Sequence, residues 1–235
     1  MITAPTIYDW PSSVRPSAQL FYAGGQMQDG GFTSSGARVG YPEPGGRSFL
    51  DLEFSYQRNA SPDTLVSWLM SKIANGNLFR VTIAQTPQVL NDEDLGLSDA
   101  STGGLLWAAE GLLPARAWDG GNLWEFEPGA VAGAAALDGT TTLTVDMGDL
   151  PAALKVGHVI GIADTAYLVD DLEWDGSVAT ITVDPPLRAD VSADDFITLR
   201  PKMVCFATNP ENFRANYRPA NDILPGSIRM TEAIL

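Results

Sequence analysis

Alternation of apolar and polar residues organises most of this chain. In SFLDLEFSYQR (residues 48–58), Leu50, Leu52, Phe54 and Tyr56 point one way while Asp51, Glu53 and Ser55 point the other. That pattern predicts a half-buried strand. The period then changes. Leu65, Trp68, Leu69 and Ile73 recur at helical spacing, which predicts one helix with a single apolar face. Ser61 is suited to cap it, Pro62 to open it, and Asp63 to sit by its positive end. Asn75-Gly76-Asn77 supplies its stop, and LFRVTI (78–83) reads as a strand leaving it.

Regularity returns from Gly129. TTLTVDM places Leu143, Val145 and Met147 on one face. LKVGHVIGIA and YLVDDLEW follow, Asp175-Gly176 predicts a hairpin turn, and SVATITV alternates Ala179, Ile181 and Val183 with two threonines. DFITL is a fifth strand. Five short strands within so few residues predict a small barrel or sandwich. KMVCFATN and the closing SIRMTEAIL are further strands, with residues 209–225 expected as loop. Residues 87–125 carry no clear period and are expected as mixed strand and loop. The organisation expected is a mainly β fold with two units. Residues 1–88 and 200–235 form a β-sandwich with one α-helix; residues 89–199 form an inserted loop region and small β-barrel.

Composition narrows the function. The chain has 235 residues with 23 Gly and 16 Pro, as turn-rich β proteins do, and a formal net charge of −15. A nucleic-acid backbone or anionic membrane would repel it. One Cys (Cys205) and one His (His158) exclude an intramolecular disulfide and a two-histidine metal site. The opening MITAPTIYDWPSSVRP lacks a basic start followed by an apolar core, so no secretory leader is expected. A reducing compartment fits the cysteine usage.

Candidate chemistry is sparse. His158, in KVGHVIG, has no orienting partner in its own segment and reads as a hydrogen-bonded strand histidine. Cys205, in MVCFA, reads as a small buried hydrophobe. Asp171, Glu173 and Asp175 before Gly176 match only part of a calcium loop, and the bidentate glutamate is missing. Asp92, Glu93 and Asp94 read as solvated loop, and the Asn59-Ala60-Ser61 triplet as unused. Trp107, Trp118 and Trp124 form the one notable cluster: an interface anchor, a sugar platform or plain core. No catalytic, cofactor-binding or metal-ligating residue is assigned, and an enzyme is not expected.

The ordered pieces TTLTV, LKVGHVIGI, YLV, ATITVDPPLR, ITLRPKMVCF and TEAIL, with the SFLDLEFSYQR strand, one helix and LFRV before them, resemble distal tail proteins. These are tail-tip ring subunits of long-tailed bacteriophages (siphophages) and related gene transfer agents. The resemblance covers roughly residues 45–90 and 135–235. It implies a non-enzymatic virion structural protein, made in the bacterial host cytoplasm and placed at the tail tip. Its partners would be copies of itself in a hexameric ring, the tail tube protein, and hub or baseplate proteins. DNA would pass through the lumen without specific binding. The alternative is a host-carbohydrate-binding module of the tail tip, using the inserted barrel and the Trp cluster.

Overall fold

A computed structural model describes residues 6–11, 13–24, 28–32, 35, 38–41, 46–54, 57–58, 62–84, 129–147, 154–213, 216–217, 222–224 and 226–234. The elements run in chain order as β1 (Ile7–Asp9), β2 (Ala18–Tyr22), β3 (Gln28–Phe32), β4 (Arg38–Tyr41), β5 (Phe49–Glu53), β6 (Gln57–Arg58) and α1 (Pro62–Ala74). Then come β7 (Leu78–Thr82), β8 (Gly129–Ala132), β9 (Thr142–Asp146), β10 (Val159–Ile162), β11 (Thr165–Asp175), β12 (Val178–Asp184) and β13 (Phe196–Thr198). The chain ends through β14 (Lys202–Ala207), β15 (Asn216–Tyr217), β16 (Asp222–Leu224) and β17 (Ile228–Glu232). Among the described residues the protein is mainly β with one α-helix, as its alternation predicts.

Six strands make one sheet in the order β1-β7-β14-β17-β5-β2, and six others close into a barrel in the order β10-β11-β12-β9-β8-β13. The sheet is antiparallel except for β1 against β7, which run parallel. β17 lies in the middle of the sheet, between β14 and β5. The register places Leu50 opposite Met230 and Leu52 opposite Ile228, all four buried. The opposite face carries Phe49 and Asp51 facing Thr231 and Arg229.

The helix packs its Val66, Leu69 and Ile73 into the sheet's core with Phe79, Val81 and Met203. This shifts the apolar stripe from its expected position. Leu65 and Trp68 flank the buried line and are only half-buried. The Trp68 ring meets Tyr8 edge-on with centroids 5.5 Å apart. A 100° step per residue makes Val66, Leu69 and Ile73 as good a stripe as one starting at Leu65. The helix side chains before Leu65, and Ser61 as its cap, lie outside the described residues.

Inside the barrel, Leu143, Val145, Ala179, Ile181, Val183 and Ile197 fill the core, the first five at the positions their alternation assigns. The barrel has six strands rather than five. The strand missed is β8, GAVA, whose small residues carry little apolar signal. They are small for a reason: a Cβ on Gly129 would stand 2.2 Å from the Phe196 ring. The hairpin turn lies one position later than expected. Asp175 pairs with Val178, so Gly176 and Ser177 form the loop, with Gly176 at φ +65°. The expected loop 209–225 contains a 3₁₀ turn (Pro210–Asn212) and the short strands β15 and β16, which join β6 in a three-stranded sheet. No helix among the described residues is long and apolar enough to cross a membrane.

Candidate functional site

The charged residues that matter most lie where barrel meets sheet. Because β1 runs parallel to β7, Asp9 stands opposite Arg80. The Arg80 guanidinium donates to Asp9 Oδ1 (2.9 Å) and, through Nε and Nη2, to both oxygens of Asp164 (2.6 and 2.8 Å). Asp164 sits in the two-residue loop joining β10 to β11, after Ala163 at φ +51°. A non-glycine residue in that region is strained, so the contacts of Asp164 hold the turn in place. Its carbonyl also accepts from the Val204 amide of β14 (3.0 Å). The Arg80 guanidinium holds the Asp164 carboxyl below the usual range, and Lys202 adds to this. The two carboxylates hold Arg80 charged in return.

A second pair lies deeper. Arg188, after β12, donates Nε to Glu232 Oε1 (3.1 Å) and Nη2 to Glu232 Oε2 (3.0 Å) and to the Gly46 carbonyl (2.7 Å). Glu232 Oε2 also accepts from the Ser48 amide (2.9 Å). The Glu232 side chain is 3 % exposed and that of Arg188 15 %. A buried carboxylate requires such pairing. The Arg188 amide donates to the Tyr167 hydroxyl (3.0 Å), and burial raises that phenol's pKa. Beside this pair the backbone packs tightly against the barrel: a Cβ on Gly24 would lie 2.0 Å from the Gly46 carbonyl oxygen of its own unit and 2.8 Å from the Pro185 Cβ of the barrel. Only glycine fits between them.

Between the pairs opens a cleft of about 1170 Å³, lined on the sheet side by Trp10, Arg80 and Thr82 and on the barrel side by Ile162, Tyr167 and Phe196. Phe196 and Ile234 stand half exposed at its rim. Arg80 and Arg188 are both committed to carboxylates of the same chain. Such pairing fixes one unit on another.

His158 is buried, its Nδ1 accepts from the Lys155 amide (3.0 Å), and its own amide donates to the Lys155 carbonyl (3.1 Å). It staples the turn before β10. Burial lowers its pKa, with a further push from Lys155. The Cys205 thiol is fully buried, donates to the Phe79 carbonyl (3.3 Å), and is pushed far up by desolvation. A thiol so placed is a poor nucleophile. Asp171, Glu173 and Asp175 are exposed along β11, alternating with half-buried Leu172 and Trp174. No cluster of three metal-ligating side chains occurs among the described residues. Trp107, Trp118 and Trp124, the Asp92–Asp94 run and Asn59-Ala60-Ser61 lie outside the described residues.

Sequence reasoning missed the junction pairs because their members are 84 and 44 residues apart. One signal was present. In IRMTE, Glu232 shares a strand face with Ile228 and Met230, and a carboxylate on an apolar face demands a partner. Set against known proteins, the chain matches no family model, and no curated protein is significantly similar to it.

Proposed function

We propose that this protein is a virion structural subunit of a bacteriophage tail tip, a distal tail ring protein that joins the tail tube to the hub or baseplate. The observation that carries the reading is the architecture: a β-sheet unit with one helix, interrupted by a small closed barrel and completed by the last strand. That is the arrangement the sequence resemblance implies. The junction supports it. Two ion pairs and a glycine-tight contact fix the barrel to the sheet, as a part that passes mechanical load requires. Its role is steric: it forms a closed ring and seats the neighbouring tail proteins.

Electron microscopy of tails, with this chain tagged, tests the reading. A closed ring of this protein at the distal end of the tube is expected. Its absence from purified particles would overturn the proposal.

A further inference from the structure

We propose that a second copy of this chain docks on the outer face of the six-stranded sheet and on its β2 edge, which no other described strand pairs with. This deepens the ring reading above and rests on it. β2 is an end strand of the sheet, and its sequence AQLFY carries no charge. Natural edge strands are usually blunted by charge, proline or a bulge. Here Leu20 and Tyr22 instead point outward, 53 % and 42 % exposed. They continue into an aromatic ledge. Tyr22 stacks on Phe49 with centroids 4.4 Å apart, Arg229 lies over Phe49 at 4.4 Å, and Arg47 lies over Phe206 at 5.7 Å. Tyrosine, phenylalanine and arginine on one surface are the composition of interface centres.

Charge selects the occupant. At −15 per chain, two copies repel unless the contact sets cations of one against carboxylates of the other. Arg229 is held by Asp51 at 2.7 and 2.8 Å. Arg47 is exposed and pairs with no carboxylate among the described residues. The complementary surface lies on the barrel. Along the β11–β12 hairpin, Asp170, Asp171, Glu173 and Asp175 are all exposed. A bulge between Val169 and Asp171 turns the strand at that point. The hairpin of one copy thus fits the Arg47 ledge of the next. Such a contact joins two different patches, and a head-to-tail contact of that type can close into a ring.

The test is the oligomeric state of the full chain by sedimentation and mass photometry. Leu20→Lys with Tyr22→Lys should yield folded monomers with an unchanged melting transition. Arg47→Glu alone, a change on an exposed side chain, should weaken self-association by at least about tenfold. Mixing Arg47→Glu with Asp171→Arg/Glu173→Arg chains should restore a contact that neither variant makes with itself. If the Leu20/Tyr22 variant assembles like the wild type, this surface is wrong while the ring reading stands. If the charge-swapped mixture does not associate, the hairpin as occupant is overturned. A wild-type chain that stays monomeric at every concentration overturns both the docking surface and the ring.

Discussion

The barrel closes on itself within residues 129–198, and most of its strands bond to near neighbours in sequence. The sheet draws its strands from residues 7–82 and 202–232, and its last strand in sequence sits near its middle. Both units have an apolar core. They differ in the chain that must be ordered before the core exists. The barrel closes short loops, whereas the sheet cannot pair β17 with β5 until distant segments meet. The barrel also reaches into its neighbour: Val159 and Ala166 pack into the sheet's core, not the barrel's own. A unit built from local pairings thus serves as a platform for one built from distant pairings, and the Arg188–Glu232 pair is where that dependence is strongest.

Removing Arg188 should break the arrangement most severely. Arg188→Met leaves Glu232 buried without its partner, which costs about 3–5 kcal/mol. Denaturant unfolding should show that loss in the sheet, with the barrel's transition moved less. Arg188→Met combined with Glu232→Met should recover much of it, since no charge is then stranded. A single variant that unfolds at the wild-type midpoint would mean that the pair does not join the units. Next in size is Trp68→Ala. The ring is half-buried, meeting Tyr8 and Phe79 edge-on at 5.5 and 6.5 Å. The expected cost is about 2 kcal/mol, below that of a fully buried tryptophan. It should appear in the sheet's transition alone.

The same contrast explains what the residues disclosed beforehand. The barrel strands β9 and β12 show period-two alternation, because their inward side chains fill a closed interior, whereas β10 is buried along most of its length where it meets the sheet. Leu143, Val145, Ala179, Ile181 and Val183 therefore stand where alternation puts them. Four strands of the sheet, β5, β7, β14 and β17, were also legible, but β1 and β2 were not, nor was the order. Nothing in FLDLE or IRMTE says that Leu50 faces Met230; that pairing is fixed by contacts across the whole chain. The helix face shifted for a related reason: neighbouring apolar residues allow two stripes, and the sheet beneath selects one. The junction was least legible. Arg80 and Asp164 look like ordinary solvated residues until the fold sets them side by side.

That outer pair sharpens the comparison, because it is exposed where Arg188–Glu232 is buried. The side chains of Arg80 and Asp164 are 33 % and 38 % exposed, so water and salt screen them and the pair contributes at most about 1 kcal/mol. Arg80 holds the Asp164 pKa below its unfolded value. The stabilisation is therefore complete above the unfolded carboxylate pKa of about 4. It is lost as pH falls through the lower folded value. Asp164→Asn should remove that share of the acid-side slope in a plot of stability against pH. Added salt should weaken the wild type towards the variant. An identical acid slope in both proteins would show that the pair contributes nothing.

The smallest effect expected comes from the residue beside the buried pair. Ser48 is fully buried, and its hydroxyl has no hydrogen-bond partner among the described residues. Its backbone nevertheless does essential work: its amide donates to Glu232 Oε2 at 2.9 Å, and its carbonyl accepts from the Glu232 amide at 2.8 Å. Ser48→Ala keeps both bonds and deletes only the orphaned oxygen. A buried polar group without a partner costs free energy, and removing it is neutral or stabilising. Thermal unfolding of Ser48→Ala should thus fall within about 0.5 kcal/mol of the wild type, or above it. A loss greater than about 1 kcal/mol would instead mean that the hydroxyl is satisfied in solution, by a water bridging it into the Arg188–Glu232 network. In that case the junction is a wet polar network, and the cost assigned to Arg188→Met falls, since water can partly solvate the carboxylate left behind.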